Sequence, residues 1–136
     1  MKVQGTVRLE LPCSPPFVGV ARKAIEGIAF TLRLPEEVAN DLRLAVGEAC
    51  TNAVKYADSK CDPITVTYIV SPDNIEIEVR NRGDGFRGTV RHIKPEISKL
   101  PVGGLGLYVI EEVMDKVEIT SEDGETILRM SKHLGE

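Results

Sequence analysis

The chain has 136 residues, which suits one domain around one hydrophobic core and is too short for two. With 42% hydrophobic, 28% charged and 4% aromatic residues, it lacks the polarity of a disordered chain. It also has no apolar run of the ~20 residues that a membrane span needs. A formal net charge of −4 argues against a nucleic-acid partner, whose phosphates want a basic face.

The opening segment Met1-Lys2-Val3-Gln4-Gly5 has no apolar block of the signal-peptide kind, so a cytoplasmic protein is expected. Val3, Thr6-Val7, Leu9 and Leu11 alternate with polar residues and predict a first strand, ended by Pro12 and Ser14-Pro15-Pro16. From Phe17 to Leu32 apolar residues recur at helical spacing, among them Val20, Ala24, Ile28 and Leu32. Leu34-Pro35-Glu36-Glu37 reads as the start of a second helix, with Pro in the first turn and acids at the positive dipole end. That helix runs to about Ala57 and turns Val38, Leu42, Ala45, Ala49, Ala53 and Val54 toward the core.

Asp58-Ser59-Lys60 breaks it. Two strands follow, Ile64–Val70 and Ile75–Arg80, joined as a hairpin by the turn composition Ser71-Pro72-Asp73-Asn74. The stretch from Asn81 to Val102 reads as irregular; structureless loops longer than ~12–15 residues are uncommon unless they are functional or disordered. A helix over Gly104–Met114 and strands at Val117–Thr120 and Thr126–Met130 complete the order β-α-α-β-β-loop-α-β-β. This predicts an α+β fold, a two-layer sandwich whose mixed, mainly antiparallel sheet carries helices on one face. Residues 1–136 are expected to form a single domain.

Cys13, Cys50 and Cys61 are widely spaced and form no Cys-x-x-Cys pair, so reduced core thiols are expected rather than a zinc site. His92 and His133 stand apart and receive no role. Glu48 and Asn52 are four residues apart on the long helix and share a face, with Asp41 seven residues before Glu48 near the same stripe. Pattern alone fits a solvated polar stripe as well. Asn81-Arg82-Gly83-Asp84-Gly85-Phe86 follows a strand, and its glycines allow close backbone approach to a ligand or simply a tight turn. Gly103-Gly104-Leu105-Gly106-Leu107 opens a helix, where free N–H groups suit a phosphate. Neither the Walker nor the Rossmann spacing is present.

In this order the segments resemble a known superfamily. Leu44–Val54 resembles the Asn-bearing helix of the Bergerat-type ATP-binding fold shared by gyrase, heat-shock chaperones, sensor histidine kinases and MutL-type mismatch-repair proteins. Asn81–Phe86 is similar to its adenine loop, Gly103–Leu107 to its second glycine box, and Gly124-Glu125-Thr126-Ile127 to the Gly-x-Thr strand that closes the adenine pocket. Glu-Ala-Cys-Thr-Asn-Ala-Val at 48–54 and the run from Gly103 to Glu118 resemble the bacterial anti-sigma serine/threonine kinases, over nearly the whole chain.

The resemblance implies a histidine-kinase-like ATPase domain, with Asn52 holding Mg²⁺ on the ATP phosphates and Glu48 as general base for the acceptor hydroxyl. It implies ATP binding by Asn52, Asn81, Gly83, Gly85, Lys94, Gly103, Gly104, Leu105, Gly106, Leu107 and Thr126. Lys94-Pro95-Glu96 resembles a lid sequence of sporulation members, and Arg87, Arg91 and Lys99 are further lid cations. Two positions depart from the pattern: Asn81 replaces the adenine-reading Asp, and Tyr56 stands where many relatives have His. An amide still accepts a hydrogen bond but without charge assistance.

The implied function is an anti-sigma regulator that phosphorylates a small antagonist protein and also binds a sigma factor or comparable regulator, with no direct nucleic-acid or membrane contact. Relatives of this type form homodimers. The rival readings are a non-catalytic ATP-binding adaptor, for example one that activates a phosphatase, and an interaction domain that has lost ATP.

Overall fold

The computed structural model of the chain describes residues 3–57, 62–82, 90–91 and 104–135. Strand β1 (Gly5–Leu11) leads through a short 3-10 turn at Pro15–Phe17 into α1 (Val18–Leu32), and α2 (Glu36–Tyr56) follows. Then come the hairpin β2 (Ile64–Ser71) and β3 (Asn74–Arg82), the two-residue β4 (Val90–Arg91), α3 (Gly104–Val113), and the hairpin β5 (Lys116–Glu122) and β6 (Glu125–His133). The sheet order is β1-β2-β3-β6-β5-β4, and every pairing among the described residues is antiparallel. No helix of the described residues is long and apolar enough to cross a membrane.

Period-two alternation decides which side of the sheet faces the helices. Ile64, Val66, Tyr68 and Val70 on β2, with Ile75, Ile77 and Val79 on β3, join Leu42, Ala49 and Ile110 of the helices in one buried cluster. The other face is polar: Glu78 stands opposite Arg129, accepts from its Nε at 2.8 Å, and accepts from Arg80 Nε at 3.0 Å. Both tight hairpins use two-residue turns; at Asp123-Gly124 both φ angles are positive, as the twist-matching turn requires.

Several expected details shift. On α1 the buried residues are Val18, Ala21, Ile25 and Ala29, whereas Val20 is 43% exposed. The row Ala21, Ile25 and Ala29 faces the core, and the neighbouring row packs at its edge through Ala24, Ile28 and Leu32, leaving Val20 at the exposed end. Asn81 and Arg82, read as loop, are the last residues of β3, paired with Thr126 and Glu125. The stretch read as irregular also contains β4, paired with β5. Cys13 and Cys50 are buried free thiols, as expected, and burial pushes the Cys50 thiol up to about 12 despite the nearby Arg22 guanidinium. Cys61 and His92 lie outside the described residues.

Tyr68 fastens the sheet to the helical layer. It is fully buried on β2 and its hydroxyl donates to the Ala21 carbonyl on α1 at 2.8 Å. Burial also raises its phenol's pKa, so it stays a donor. Tyr68→Phe removes one satisfied buried bond, for an expected loss of about 1 kcal/mol. Urea unfolding should show a lower midpoint with unchanged slope; an unchanged midpoint would mean this bond contributes nothing net.

Candidate functional site

Helix α2 presents Glu48 and Asn52 on one face, and α3 packs against that face through Gly106. A Cβ placed on Gly106 would lie 2.9 Å from Glu48 Oε1, 3.3 Å from Asn52 Nδ2 and 3.6 Å from Asn52 Oδ1. The absence of a side chain therefore lets the first turn of α3 reach the two polar groups. The first turn of a helix is also where backbone N–H groups lack intrahelical partners. A cradle of this kind suits a phosphate.

Beside it lies the end of the β3–β6 pair. Asn81 on β3 is directly opposite Thr126 on β6, and both are buried. Asn81 Nδ2 donates to the Arg82 carbonyl at 3.4 Å, which leaves the side-chain oxygen as the end that can accept. Asn52, Tyr56, Asn81, Leu107 and Thr126 line one cavity with Ala49, Ala53, Val79, Ile119 and Leu128. Its volume is about 20 Å³, enough for one water.

Glu48 also borders a second space. A groove of about 570 Å³ between α1 and α2 is lined by Arg22, Lys23, Arg43, Leu44, Gly47 and Glu48, among others. Arg22 lies across Gly47, where an added Cβ would come within 2.6 Å of its Nε. Glu48 thus stands between the glycine cradle of α3 and an open groove of mixed charge, where Glu26 pairs with Lys23 and Arg43.

The structure brings together Glu48, Asn52, Asn81, Gly106, Leu107 and Thr126 of the residues singled out from sequence. Gly104 and Leu105 lie in the first turn of α3, described by backbone only. Gly83, Gly85, Lys94 and Gly103 lie outside the described residues, with Asp84, Phe86, Arg87 and Lys99. Arg91 is placed in β4 by its backbone. Asp41 is elsewhere, paired with Lys132 Nζ at 3.4 Å.

Tyr56 was noted in the sequence only as a departure from the family pattern, with no ligand role, yet it lines the cavity. Its hydroxyl is shielded from solvent and has no hydrogen-bond partner among the described residues. The Lys55 ammonium sits 5.7 Å from its ring centroid. The signal was available: Tyr56 follows Asn52 by four residues and so shares its helix face. A buried donor of this kind, beside a cradle that a side chain would fill, fits a bound polar ligand such as a nucleotide.

The sequence family called histidine kinase-like ATPase domain matches residues 11–132. The chain belongs to this family. The serine-protein kinase RsbW of Oceanobacillus iheyensis is 36% identical over 141 residues, covering 96% of this chain and 87% of that protein. Its namesake from Bacillus velezensis is 34% identical, covering 94% and 85%, and one from Listeria monocytogenes is 33% identical, covering 96% and 88%. Two solved structures share the fold. The RsbU and RsbW domains of a Mycobacterium tuberculosis protein superpose with a TM-score of 0.74 at 16% identity. They match 96% of this chain, which spans only 32% of that longer one. The SiaB–SiaC complex of Pseudomonas aeruginosa gives 0.70 at 16% identity, covering 92% and 88%. The fold is that of the ATP-binding family, as the resemblance implied, and ATP is the ligand it holds.

Gly106→Ala separates stability from ligand binding. Its Cβ meets the free end of a flexible carboxylate, which can swing aside, and Ala gains about 1 kcal/mol of helix propensity over Gly. Thermal melting should therefore be unchanged or raised, while calorimetry shows weaker ATP binding. A variant that binds ATP like the parent would place the phosphates away from Gly106.

Proposed function

We propose that the chain is a Mg-ATP-dependent serine/threonine protein kinase of the anti-sigma type, acting in the cytoplasm as a partner switch. The observation that carries this reading is the convergence of Glu48, Asn52 and Gly106 at the joint between α2 and α3. The relatives named serine-protein kinase RsbW support it. Its substrate is a small antagonist protein, and its second partner is a sigma factor or comparable regulator. The structure of the SiaB–SiaC complex, in which a chain has this fold and is bound to a partner, is consistent with a partner-binding role.

Each residue has a defined task in this reading. The side-chain oxygen of Asn81 accepts a hydrogen bond from the adenine amino group, and Thr126 and Leu107 close the pocket around the base. Backbone N–H groups at the start of α3 receive the phosphates. Asn52 offers its side-chain oxygen to Mg²⁺, a hard cation that needs few protein oxygens because it keeps waters and phosphate ligands. When bound, Mg²⁺ supplies neutralisation of phosphate charge. Glu48 takes the proton of the acceptor Ser or Thr hydroxyl as it attacks the γ-phosphorus and the bond to the β-phosphate oxygen breaks. Positioning and charge neutralisation do most of the work of phosphoryl transfer, and a general base adds ~10²–10⁴-fold. The groove lined by Arg22, Lys23 and Arg43 gives an acceptor protein a route to Glu48.

The neutral amide of Asn81 favours a second reading, an ATP-binding adaptor without catalysis, because it lacks the charge assistance of the family's usual Asp. The two readings part at Glu48. In a kinase, Glu48→Gln keeps ATP binding and slows transfer to the partner by ~10²–10⁴-fold, whereas Asn52→Ala loses metal-dependent ATP binding altogether. Calorimetry and phosphate transfer to the co-purified partner check both variants. Transfer by Glu48→Gln at the parent rate would remove Glu48 from catalysis.

A further inference from the structure

The geometry points to Lys132 as a positioning residue for the nucleotide site: by joining Asp41 on α2 to the last carbonyl of α3, it sets the axial register in which Gly106 meets Glu48 and Asn52. This rests on the reading of Gly106, Glu48 and Asn52 as the phosphate end of the ATP site.

Lys132 occupies the helix-facing row of β6, opposite the fully buried Ile75 of β3. A lysine in that row has to send its ammonium out between the helices, and its side chain is only 15% exposed. The ammonium donates to the Val113 carbonyl at 2.7 Å and pairs with Asp41 Oδ2 at 3.4 Å. Val113 ends α3, so its carbonyl is one of the last four that the helix leaves without an internal partner. A cation at this end is favoured by the helix dipole. The backbone beyond α3 is tied to β6 by Asp115 N–H donating to the Ser131 carbonyl at 2.9 Å. That bond holds α3 to the sheet; the Lys132 bridge holds it to α2.

The spacing makes the bridge relevant to the site. Asp41 precedes Glu48 by seven residues, and Val113 follows Gly106 by seven, about 10.5 Å along each helix. Asp41 and Val113 meet through Lys132 at one end of the pair of helices, and Glu48 and Gly106 meet at the other. The two helices therefore run side by side in opposite directions with two points of contact matched in length. A slip of α3 at the first point moves Gly106 at the second. At that point the Gly106 backbone lies beside both polar groups, with an added Cβ 2.9 Å from Glu48 Oε1 and 3.3 Å from Asn52 Nδ2, so a shift of α3 changes what the site presents to a ligand. It also explains the place of Asp41, which lies near the stripe of Glu48 and Asn52 yet stands outside the cavity.

The test is a double-mutant cycle on Mg-ATP affinity with Lys132→Met, Gly106→Ala and both, measured by calorimetry where each variant is fully folded. Lys132→Met should weaken binding by roughly tenfold, the lower end of what loss of a supporting contact costs. Asp41→Asn should weaken it in the same direction and keep the proposal testable if Lys132→Met fails to fold. Lys132→Arg, which can still donate to both oxygens, should restore most of the affinity. Once α3 has slipped, the close fit at Gly106 is already lost, so the double variant should bind no worse than Gly106→Ala alone. Additive losses, or parent-like affinity in Asp41→Asn and Lys132→Met, would overturn the positioning role. Parent-like affinity in Gly106→Ala and Asn52→Ala would instead overturn the site reading.

Discussion

The close approach of α3 to α2 at Gly106 is the constraint on which the rest of this structure depends. A residue with any side chain there would meet the Glu48 carboxylate at 2.9 Å. Because Gly106 has none, the beginning of one helix and the polar face of another share a single small volume. The rest of the fold serves to hold that contact. The sheet provides a floor for both helices, and Asn81 and Thr126, side by side on β3 and β6, extend the same volume across the floor. Leu107, fully buried beside Gly106, anchors the first turn of α3 in the core. Chemistry and packing are thus adjacent in sequence, one residue facing the ligand side and the next facing the interior.

Polar groups buried here are costly unless they find partners, so their concentration at one place needs a function. Thr67 and Thr120 carry shielded hydroxyls elsewhere in the sheet, which are isolated. At the joint of α2 and α3, by contrast, the Tyr56 hydroxyl, the Asn81 amide and the Thr126 hydroxyl border the same cavity as Asn52. A bound nucleotide would offer a partner to the Tyr56 hydroxyl, which has none among the described residues.

Much of this was legible in the residues. The first hairpin was read from its turn composition, and α2 from its acidic first turn and apolar spacing. The polar pair at Glu48 and Asn52 was read from a four-residue spacing, and Gly106 from its place at a helix start. What was not legible depends on three-dimensional neighbours. Val20 looked like a core residue because it is apolar and lies in an i+4 row, but the row that faces the core is the neighbouring one, Ala21, Ile25 and Ala29. A two-residue strand such as β4 has no period to detect; only its pairing with β5 makes it a strand. Asn81 and Arg82 read as loop because Asn and Gly-rich sequence favours turns, while the ladder with β6 holds both in extended form. Lys132 was missed, and the place of Tyr56 in the cavity not foreseen, because a lysine on a strand and a tyrosine on a helix are usually surface residues; burial between elements gives each its role.

The central claim is that this constellation transfers the γ-phosphate of ATP to a hydroxyl of a protein partner. The most direct measurement is to incubate the parent protein and its co-purified partner with Mg²⁺ and γ-labelled ATP, then map the label by mass spectrometry. The account predicts label on one Ser or Thr of the partner, stable in acid and released in strong alkali by β-elimination as phosphoesters of Ser and Thr are, and accumulating ~10²–10⁴-fold more slowly when Glu48 is changed to Gln. Label released only as free phosphate, or ATP bound and recovered intact while the partner stays unlabelled, would contradict it.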